Sequence, residues 1–202
     1  MTQPSSNKLS LLDWLDSQED NMVTLLRDLV NIDSNSFDKA GVDRVADRLG
    51  EFFDEQSIPF ETIPIATHGD GMRAIVAGGN GNRPILLCGH RDTVFPTGEV
   101  EKRPFEVRDG KAYGPGVADM KPGLVINAFI LAAFNKFGGH PNPLVGLFTG
   151  DEEIGSPTSQ DVIIAEAKKA RFAFNSEPGR PNGNIVTKRK GGIFCHCDIF
   201  GV

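Results

Sequence analysis

The sequence lacks any apolar run long enough to cross a membrane. Its longest apolar stretch, residues 124–134, contains Asn127 and falls well short of the roughly 20 residues that a spanning helix needs. Residues 1–8 do not form the apolar core of a secretory signal peptide either. We therefore expect a cytoplasmic protein that does not contact a membrane.

Cysteine and basic residues are also scarce. The three cysteines of the 202-residue chain are an odd and sparse set, and Cys88 lies in a predicted buried strand, so we expect no disulfide framework. Lysine and arginine number 21 against 27 aspartates and glutamates, which gives a net charge of −6. A nucleic-acid-binding surface is normally basic, so we expect no nucleic-acid partner. The 39% of hydrophobic residues is enough for a sizeable core, in one large or two small domains.

Apolar residues recur in two patterns, one typical of helices and the other of buried strands. Helical spacing predicts one helix or two consecutive helices in residues 11–30, and further helices in 42–53, 124–137 and 159–170. Strands are predicted at 60–65, 73–77, 84–89, 144–149, 171–175, 184–190 and 193–200. The apolar runs 84–89, 144–149 and 171–175 predict three adjacent buried strands. This alternation predicts an α/β fold, a three-layer α/β/α sandwich with a mainly parallel or mixed sheet.

A histidine and an aspartate end the first of these buried runs. His90 and Asp92 are two residues apart, and side chains at that spacing on an extended backbone point the same way. Asp92 can therefore lie behind His90 and hold its ring. A metal-ligating imidazole needs a partner of this kind.

Acidic residues follow the other predicted strands. Glu152 and Glu153 follow strand 144–149, Glu177 follows strand 171–175, and Asp119 lies in a glycine-rich loop before a helix. Open α/β sheets bind ligands at the carboxyl ends of their strands. Any one of these acids alone has more often a structural role, such as capping a helix. Four independent positions together favour a divalent metal, with zinc as the best match, and a hydrolytic function.

The adjacent carboxylates of Glu152 and Glu153 are the most specific part of this pattern. They repel each other at the end of a buried strand unless a cation or a proton compensates. A useful division of labour would be one metal ligand and one general base that takes a proton from water.

Two other motifs are weaker. Gly-Pro-Gly at 114–116 is similar to part of a phosphate-binding loop, but Asp119 takes the position of the third glycine and no P-loop lysine motif is present. In Cys-His-Cys at 195–197, a strand would place the two cysteines on one face and the histidine on the other. These three side chains would not converge on a metal.

Four segments, taken together, carry a family resemblance. They are Gly-His-Arg-Asp-Thr-Val at 89–94, Tyr-Gly-Pro-Gly-Val-Ala-Asp-Met-Lys at 113–121, Thr-Gly-Asp-Glu-Glu-Ile-Gly-Ser at 149–156 and Ser-Glu-Pro at 176–178. In order and spacing the chain resembles, over nearly its whole length, the metallopeptidase family of glutamate carboxypeptidase (carboxypeptidase G), aminoacylase-1, acetylornithine deacetylase and succinyl-diaminopimelate desuccinylase. Tyr-Gly-Pro-Gly and Glu177-Pro178 are most similar to the glutamate carboxypeptidase branch.

The resemblance implies a catalytic domain that binds two zinc ions. Asp119 would bridge the two ions, and His90 and Glu177 would complete the protein ligands of one of them. Glu153 would bind the other ion. Cobalt and manganese are alternatives to zinc.

The resemblance also implies a catalytic mechanism. Glu152 would be the general base that takes a proton from metal-activated water, and Asp92 would orient the ligating histidine. The peptide bond between Asp119 and Met120 would be cis. Pro122 departs from the family, which usually has glycine there, but proline is well tolerated early in a helix.

The implied function is hydrolysis of an amide bond in a small-molecule substrate, either an N-acyl amino acid or a small peptide. The resemblance also implies a homodimer at full length. Family members are much longer than this chain, because they insert a lid or dimerisation domain and then complete the catalytic domain with a further ligating histidine. None of His68, His140 and His196 matches that histidine. Residues 1–190 are therefore expected to be the N-terminal portion of the catalytic domain, and 191–202 the start of the lid. The alternative is a truncated fragment that binds metal but is catalytically inactive.

Overall fold

Helices form where the sequence has apolar stripes. The structure, a computed structural model, describes residues 6–79, 82–188, 191, 195 and 197–201. Its helices are α1 (Ser6–Asp16), α2 (Glu19–Val30), α3 (Lys39–Glu55), α4 (Glu99–Lys102), α5 (Lys121–Lys136) and α6 (Gln160–Lys169). The stripe of residues 11–30 thus belongs to two consecutive helices. None of the described helices is long and apolar enough to span a membrane.

Helix α3 illustrates how the sequence specifies these elements. The side chain of Asp38 accepts a hydrogen bond from the amide of Gly41 at 3.0 Å and so caps the first turn. The buried residues at helical spacing are Val42, Val45, Leu49 and Phe53. This face packs on the sheet, where the ring of Phe53 stacks on that of Phe148 with centroids 5.9 Å apart.

Five strands form one mixed sheet. In chain order, all strands of the described residues are β1 (Phe60–Ile63), β2 (Gly71–Val76), β3 (Ile85–His90), β4 (Glu106–Arg108), β5 (Lys111–Tyr113), β6 (Leu144–Thr149) and β7 (Phe172–Asn175). The large sheet has the order β1-β2-β6-β3-β7, and β4 and β5 form a separate exposed hairpin. Strands β6, β3 and β7 are parallel, whereas β1–β2 and β2–β6 are antiparallel pairs. The predicted mixed sheet and the adjacency of these three parallel strands are confirmed.

Helices cover both faces of the sheet. On one face α3 and α5 form the main core with the sheet, and α1 and α2 pack against α5. On the other face α6 covers a smaller apolar cluster that includes Leu86, Val145 and Leu147. The predicted three-layer α/β/α arrangement is therefore confirmed.

Two expectations for the C-terminal part are wrong. Strand β7 is expected to be buried, yet its four residues are exposed. It lies at the edge of the described sheet, and neither apolar cluster covers its faces. The strands predicted at 184–190 and 193–200 are not formed at positions 184–188, 195 and 197–200, which have no regular structure. Ile185 and Phe200 are 85% and 90% exposed there, so apolar character alone did not provide a partner strand. The other positions of these two predicted strands lie outside the described residues.

Candidate metal centre

The parallel strands bring the predicted site residues together at the carboxyl ends of the strands. His90 ends β3 and lies in register with Thr149, the last residue of β6. A 3-10 turn, Glu152–Ile154, follows β6 at the same end of the sheet. Strand β7 ends beside β3, and Glu177 follows it by two residues. The carboxyl ends of parallel strands meet in this way in any such sheet, which is why these positions converge.

His90 lies at the centre of the group. Its Nε2 is 3.2 Å from Asp119 Oδ1, 3.4 Å from Glu177 Oε1 and 3.7 Å from Glu152 Oε2. His90, Asp119 and Glu177 each offer one ligand atom, and these atoms lie within 4.8 Å of one another. Among the described residues, this is the group of at least three such donors that could hold a metal ion.

Asp92 lies on the opposite side of the imidazole. Its carbonyl oxygen and its Oδ1 are 3.0 Å and 3.3 Å from His90 Nδ1. The carboxylate also accepts hydrogen bonds from the amides of Glu152 and Glu153, each at 3.1 Å. One buried aspartate therefore contacts both the histidine and the turn that carries the adjacent glutamates.

Ser36 is a residue of the site that sequence reasoning missed. Its hydroxyl donates to Asp92 Oδ2 at 2.7 Å, and both residues are buried. Burial raises the pKa of Asp92, but the hydrogen bonds from His90 and Ser36 outweigh it, so the pKa is lowered. Ser36 lies 56 positions before Asp92 in a loop with no motif, so no local pattern indicates this contact.

The loop that carries Asp119 is fixed by its neighbours. The peptide bond between Asp119 and Met120 is cis, as the family resemblance implies. The backbone amide of His90 donates to the sulfur of buried Met120 at 3.1 Å. Lys121 is 1% exposed, and its ammonium donates to the carbonyl oxygens of Leu29 and Ile32 at 2.8 Å each. These contacts attach the start of α5 to the end of α2.

The charges around His90 shift the pKa values of the group. Burial disfavours a charged imidazole, but the hydrogen bonds and charges of Asp92 and Glu177 outweigh it and raise the pKa of His90 to about 11. Burial and the carboxylate of Glu177 raise the pKa of Asp119, despite the opposing effect of His90. Several carboxylates therefore concentrate negative charge around the His90 ring.

The two adjacent glutamates differ in position. Neither belongs to the group of three donors within 4.8 Å, but a carboxylate oxygen of Glu152 lies 3.7 Å from His90 Nε2. Burial raises the pKa of Glu152, and burial together with Asp119 and other carboxylates raises that of Glu153 to about 6, against the effect of His90.

A cavity of about 260 Å³ lies beside the group. Its apolar wall includes Leu147 and Ile163, and its polar rim includes His90, Glu152 and Glu177. A small organic molecule held there would have an apolar part against the sheet and a polar part next to the carboxylates.

The donor set fits a divalent cation. Imidazole nitrogen and carboxylate oxygens are ligands that zinc takes in proteins. A cation among Asp119, Glu153 and Glu177 would favour their charged forms, which their mutual repulsion disfavours. The second ring nitrogen of His90 is held by an aspartate, which is how proteins orient metal-ligating histidines.

A comparison with protein-family models identifies the family of the chain. The model described as Peptidase family M20/M25/M40 matches residues 86–191, just over half of the chain. The chain belongs to this family. The match begins in β3 and includes every residue of the candidate metal centre except Ser36.

Individual proteins resemble the chain over part of their own length. Carboxypeptidase G2 from Pseudomonas sp. (strain RS-16) is 32% identical over 178 residues, which are 85% of this chain and 42% of that protein. Human carnosine dipeptidase 1 has the same fold, with a TM-score of 0.71 at 16% identity over 84% of this chain and 41% of its own. The metallo-carboxypeptidase Sso-CP2 from Sulfolobus solfataricus has a TM-score of 0.68 at 22% identity, over 80% and 38%. The chain thus spans about two fifths of the length of these relatives.

The other two described histidines lie apart from the centre. His68 contacts Thr67 and the ring of Phe37, and His140 packs against Phe134. His196 lies outside the described residues.

Proposed function

We propose that the chain carries the metal-binding part of a zinc-dependent hydrolase that cleaves an amide bond of an N-acyl amino acid or small peptide, as a glutamate carboxypeptidase does. The observation that carries this proposal is the convergence on His90 Nε2 of carboxylates from three other segments, with Asp92 at the opposite ring nitrogen. Membership of a family whose relatives are named as peptidases supports the same class of reaction.

Each acidic residue has a distinct role in this proposal. In a full-length form Asp119 would hold two metal ions, together with His90 and Glu177 for one of them and with Glu153 for the other. Bound divalent ions would polarise the amide carbonyl and stabilise the negative charge that develops on its oxygen. A cation held among these groups would offset the burial and the neighbouring carboxylates that raise the pKa of Asp119 and of Glu153.

Glu152 is proposed as the general base. It accepts a proton from the attacking water, the water oxygen bonds to the carbonyl carbon, and Glu152 returns the proton to the nitrogen as the C–N bond breaks. Burial raises the pKa of Glu152 toward neutrality, which improves it as a proton acceptor and donor. Asp92 orients the His90 ring and, through two amide contacts, the turn that carries Glu152.

A second candidate is a chain that binds metal without turnover. One observation favours it: the Glu153 carboxylate lies outside the group of three donors within 4.8 Å. The hydrolase proposal has two further parts. Residues 1–190 would belong to the catalytic domain and 191–202 to a lid, and the full-length form would be a homodimer.

Calorimetric titration with zinc, combined with an N-acyl amino acid hydrolysis assay, distinguishes the two. Zinc uptake with turnover supports the hydrolase, and zinc uptake without turnover supports the second candidate. A chain that takes up no zinc would contradict both.

A further inference from the structure

Asn127 is a polar residue within the apolar part of α5. Its side chain is fully buried, and its buried neighbours on the helix include Leu124, Val125, Ala128 and Leu131. An apolar residue would fit these surroundings at no cost in hydrogen bonds, whereas a buried amide needs partners. The hydrogen bonds of this buried amide therefore indicate a structural role for Asn127.

The two ends of this amide bind two different strand ends. Its Nδ2 donates to the carbonyl oxygen of Cys88 at 2.9 Å, and its Oδ1 accepts from the hydroxyl of Ser176 at 2.6 Å. The orientation is fixed because a carbonyl oxygen only accepts, so the NH₂ group faces Cys88 and the oxygen faces Ser176. The amide of Ser176 also donates to Cys88 at 3.4 Å.

These partners are next to the candidate metal ligands. Cys88 is two residues before His90, Ser176 is one residue before Glu177, and α5 begins two residues after Asp119. One side chain thus connects the three segments that supply the three converging donors.

The helix approaches these segments closely on the same face. Gly123 lies one helical turn before Asn127, and a Cβ atom built there would lie 2.2 Å from the carbonyl oxygen of Ser176. A Cβ at Gly89 would lie 2.9 Å from Leu124 and 3.6 Å from the Nδ2 of Asn127. Glycine at both positions allows the backbone of α5 to reach the ends of β3 and β7.

We infer that Asn127 is a positioning residue of the metal centre, which sets the distance between His90 and Glu177 by linking the backbone of Cys88 to the side chain of Ser176. The inference rests on the proposed metal-binding function. It adds a residue that touches neither metal nor substrate and acts through Cys88 and Ser176. Groups that orient metal ligands in this way typically change metal affinity by about 10–100-fold when they are lost.

The test compares Asn127→Leu with a matched control on the same helix. Asn135 also donates its amide to backbone carbonyl oxygens, those of Gln56 and Ser57 at 3.0 and 3.4 Å, but these follow α3 and carry no site residue. Asn135→Leu therefore reports the effect of losing a comparable amide elsewhere on α5. A cavity of about 390 Å³ beside Asn127 and Ser176 leaves room for the leucine.

Zinc affinity is measured by competition with a chelating dye. We expect Asn127→Leu to weaken zinc binding about tenfold or more and Asn135→Leu to leave it unchanged. Ser176→Ala removes the same link from the other side, so it should weaken binding too, and its effect should not add to that of Asn127→Leu. Ser176→Ala also keeps the inference testable if Asn127→Leu does not fold.

Hydrogen exchange of the chelator-treated protein gives a second measurement that needs no metal. We expect faster exchange at residues 176 and 177 in Asn127→Leu, and wild-type exchange there in Asn135→Leu. Equal zinc affinity and equal exchange in the two variants would overturn the inference while the proposed function stands. If the variant His90→Ala binds zinc as tightly as the wild-type chain, the proposed function fails. In that case the exchange at residues 176 and 177 alone shows whether Asn127 holds this segment in place.

Discussion

Replacing Asp92 by asparagine tests how the centre holds its shape. The Asp92 carboxylate accepts hydrogen bonds from the hydroxyl of Ser36 at 2.7 Å and from the amides of Glu152 and Glu153 at 3.1 Å each. Asparagine has the same shape, but an NH₂ group replaces one of the two oxygens. Each oxygen accepts from one of the two amides, so either orientation of the substituted side chain would place its NH₂ against an N–H donor.

The size of the effect follows from these contacts. A hydrogen bond to a charged group contributes about 1.5–3 kcal/mol, and a buried donor left without an acceptor costs about 1–3 kcal/mol. We therefore expect Asp92→Asn to lower the free energy of unfolding by about 3 kcal/mol, a large share of the roughly 5–15 kcal/mol that stabilises a typical domain. Ser36→Ala removes one neutral donor, so it should cost only about 1 kcal/mol.

Urea unfolding and zinc titration measure the two consequences. Asp92→Asn should shift the unfolding midpoint to lower urea. It should also weaken zinc binding by about 10–100-fold, because the His90 ring loses its carboxylate partner and keeps only the carbonyl oxygen of residue 92. Ser36→Ala provides the graded control for both. Wild-type stability together with wild-type zinc affinity in Asp92→Asn would refute the role that the structure gives this aspartate.

Two further predictions concern catalysis and pH. Glu152→Ala should lower turnover by about 10²–10⁴-fold in any full-length form, measured by substrate hydrolysis, and should retain zinc. Loss of zinc would mean that the roles of Glu152 and Glu153 are exchanged. Burial raises the pKa of Asp70, but hydrogen bonds from Lys39 and the Ile65 amide outweigh it, so the pKa is lowered. Its stabilising contribution is then complete above the ordinary pKa of about 3.9 and is lost as pH falls through the folded-state value. The stability difference between wild type and Asp70→Asn should therefore shrink below about pH 4, and a constant difference would contradict this.

The convergence of the site residues could be predicted because it depends on strand order and direction. Apolar runs that end in His90, in the Glu152-Glu153 pair and near Glu177 indicate parallel strands whose carboxyl ends lie side by side. The loop position of Asp119 does not follow from strand patterning. Asp119 was singled out by its glycine-rich loop before a helix, and its role as a shared metal ligand came from the family resemblance.

Contacts between distant segments could not be predicted. Ser36 reaches Asp92 across 56 positions, and Asn127 reaches Ser176 across 49. In the sequence Asn127 only interrupts an apolar stretch, and its partners depend on how α5 packs on the sheet. The exposure of β7 was missed for a related reason, since an apolar run does not show whether its strand lies at the edge or in the centre of a sheet.

The most direct test of the central claim is the zinc content of the 202-residue chain after zinc loading and desalting. His90, Asp119 and Glu177 offer three ligands to one ion, whereas among the described residues the proposal gives a second ion only Asp119 and Glu153. The account predicts one zinc ion per wild-type chain, and none in His90→Ala or Glu177→Gln. Two tightly held ions per chain, or wild-type zinc content in either variant, would contradict it.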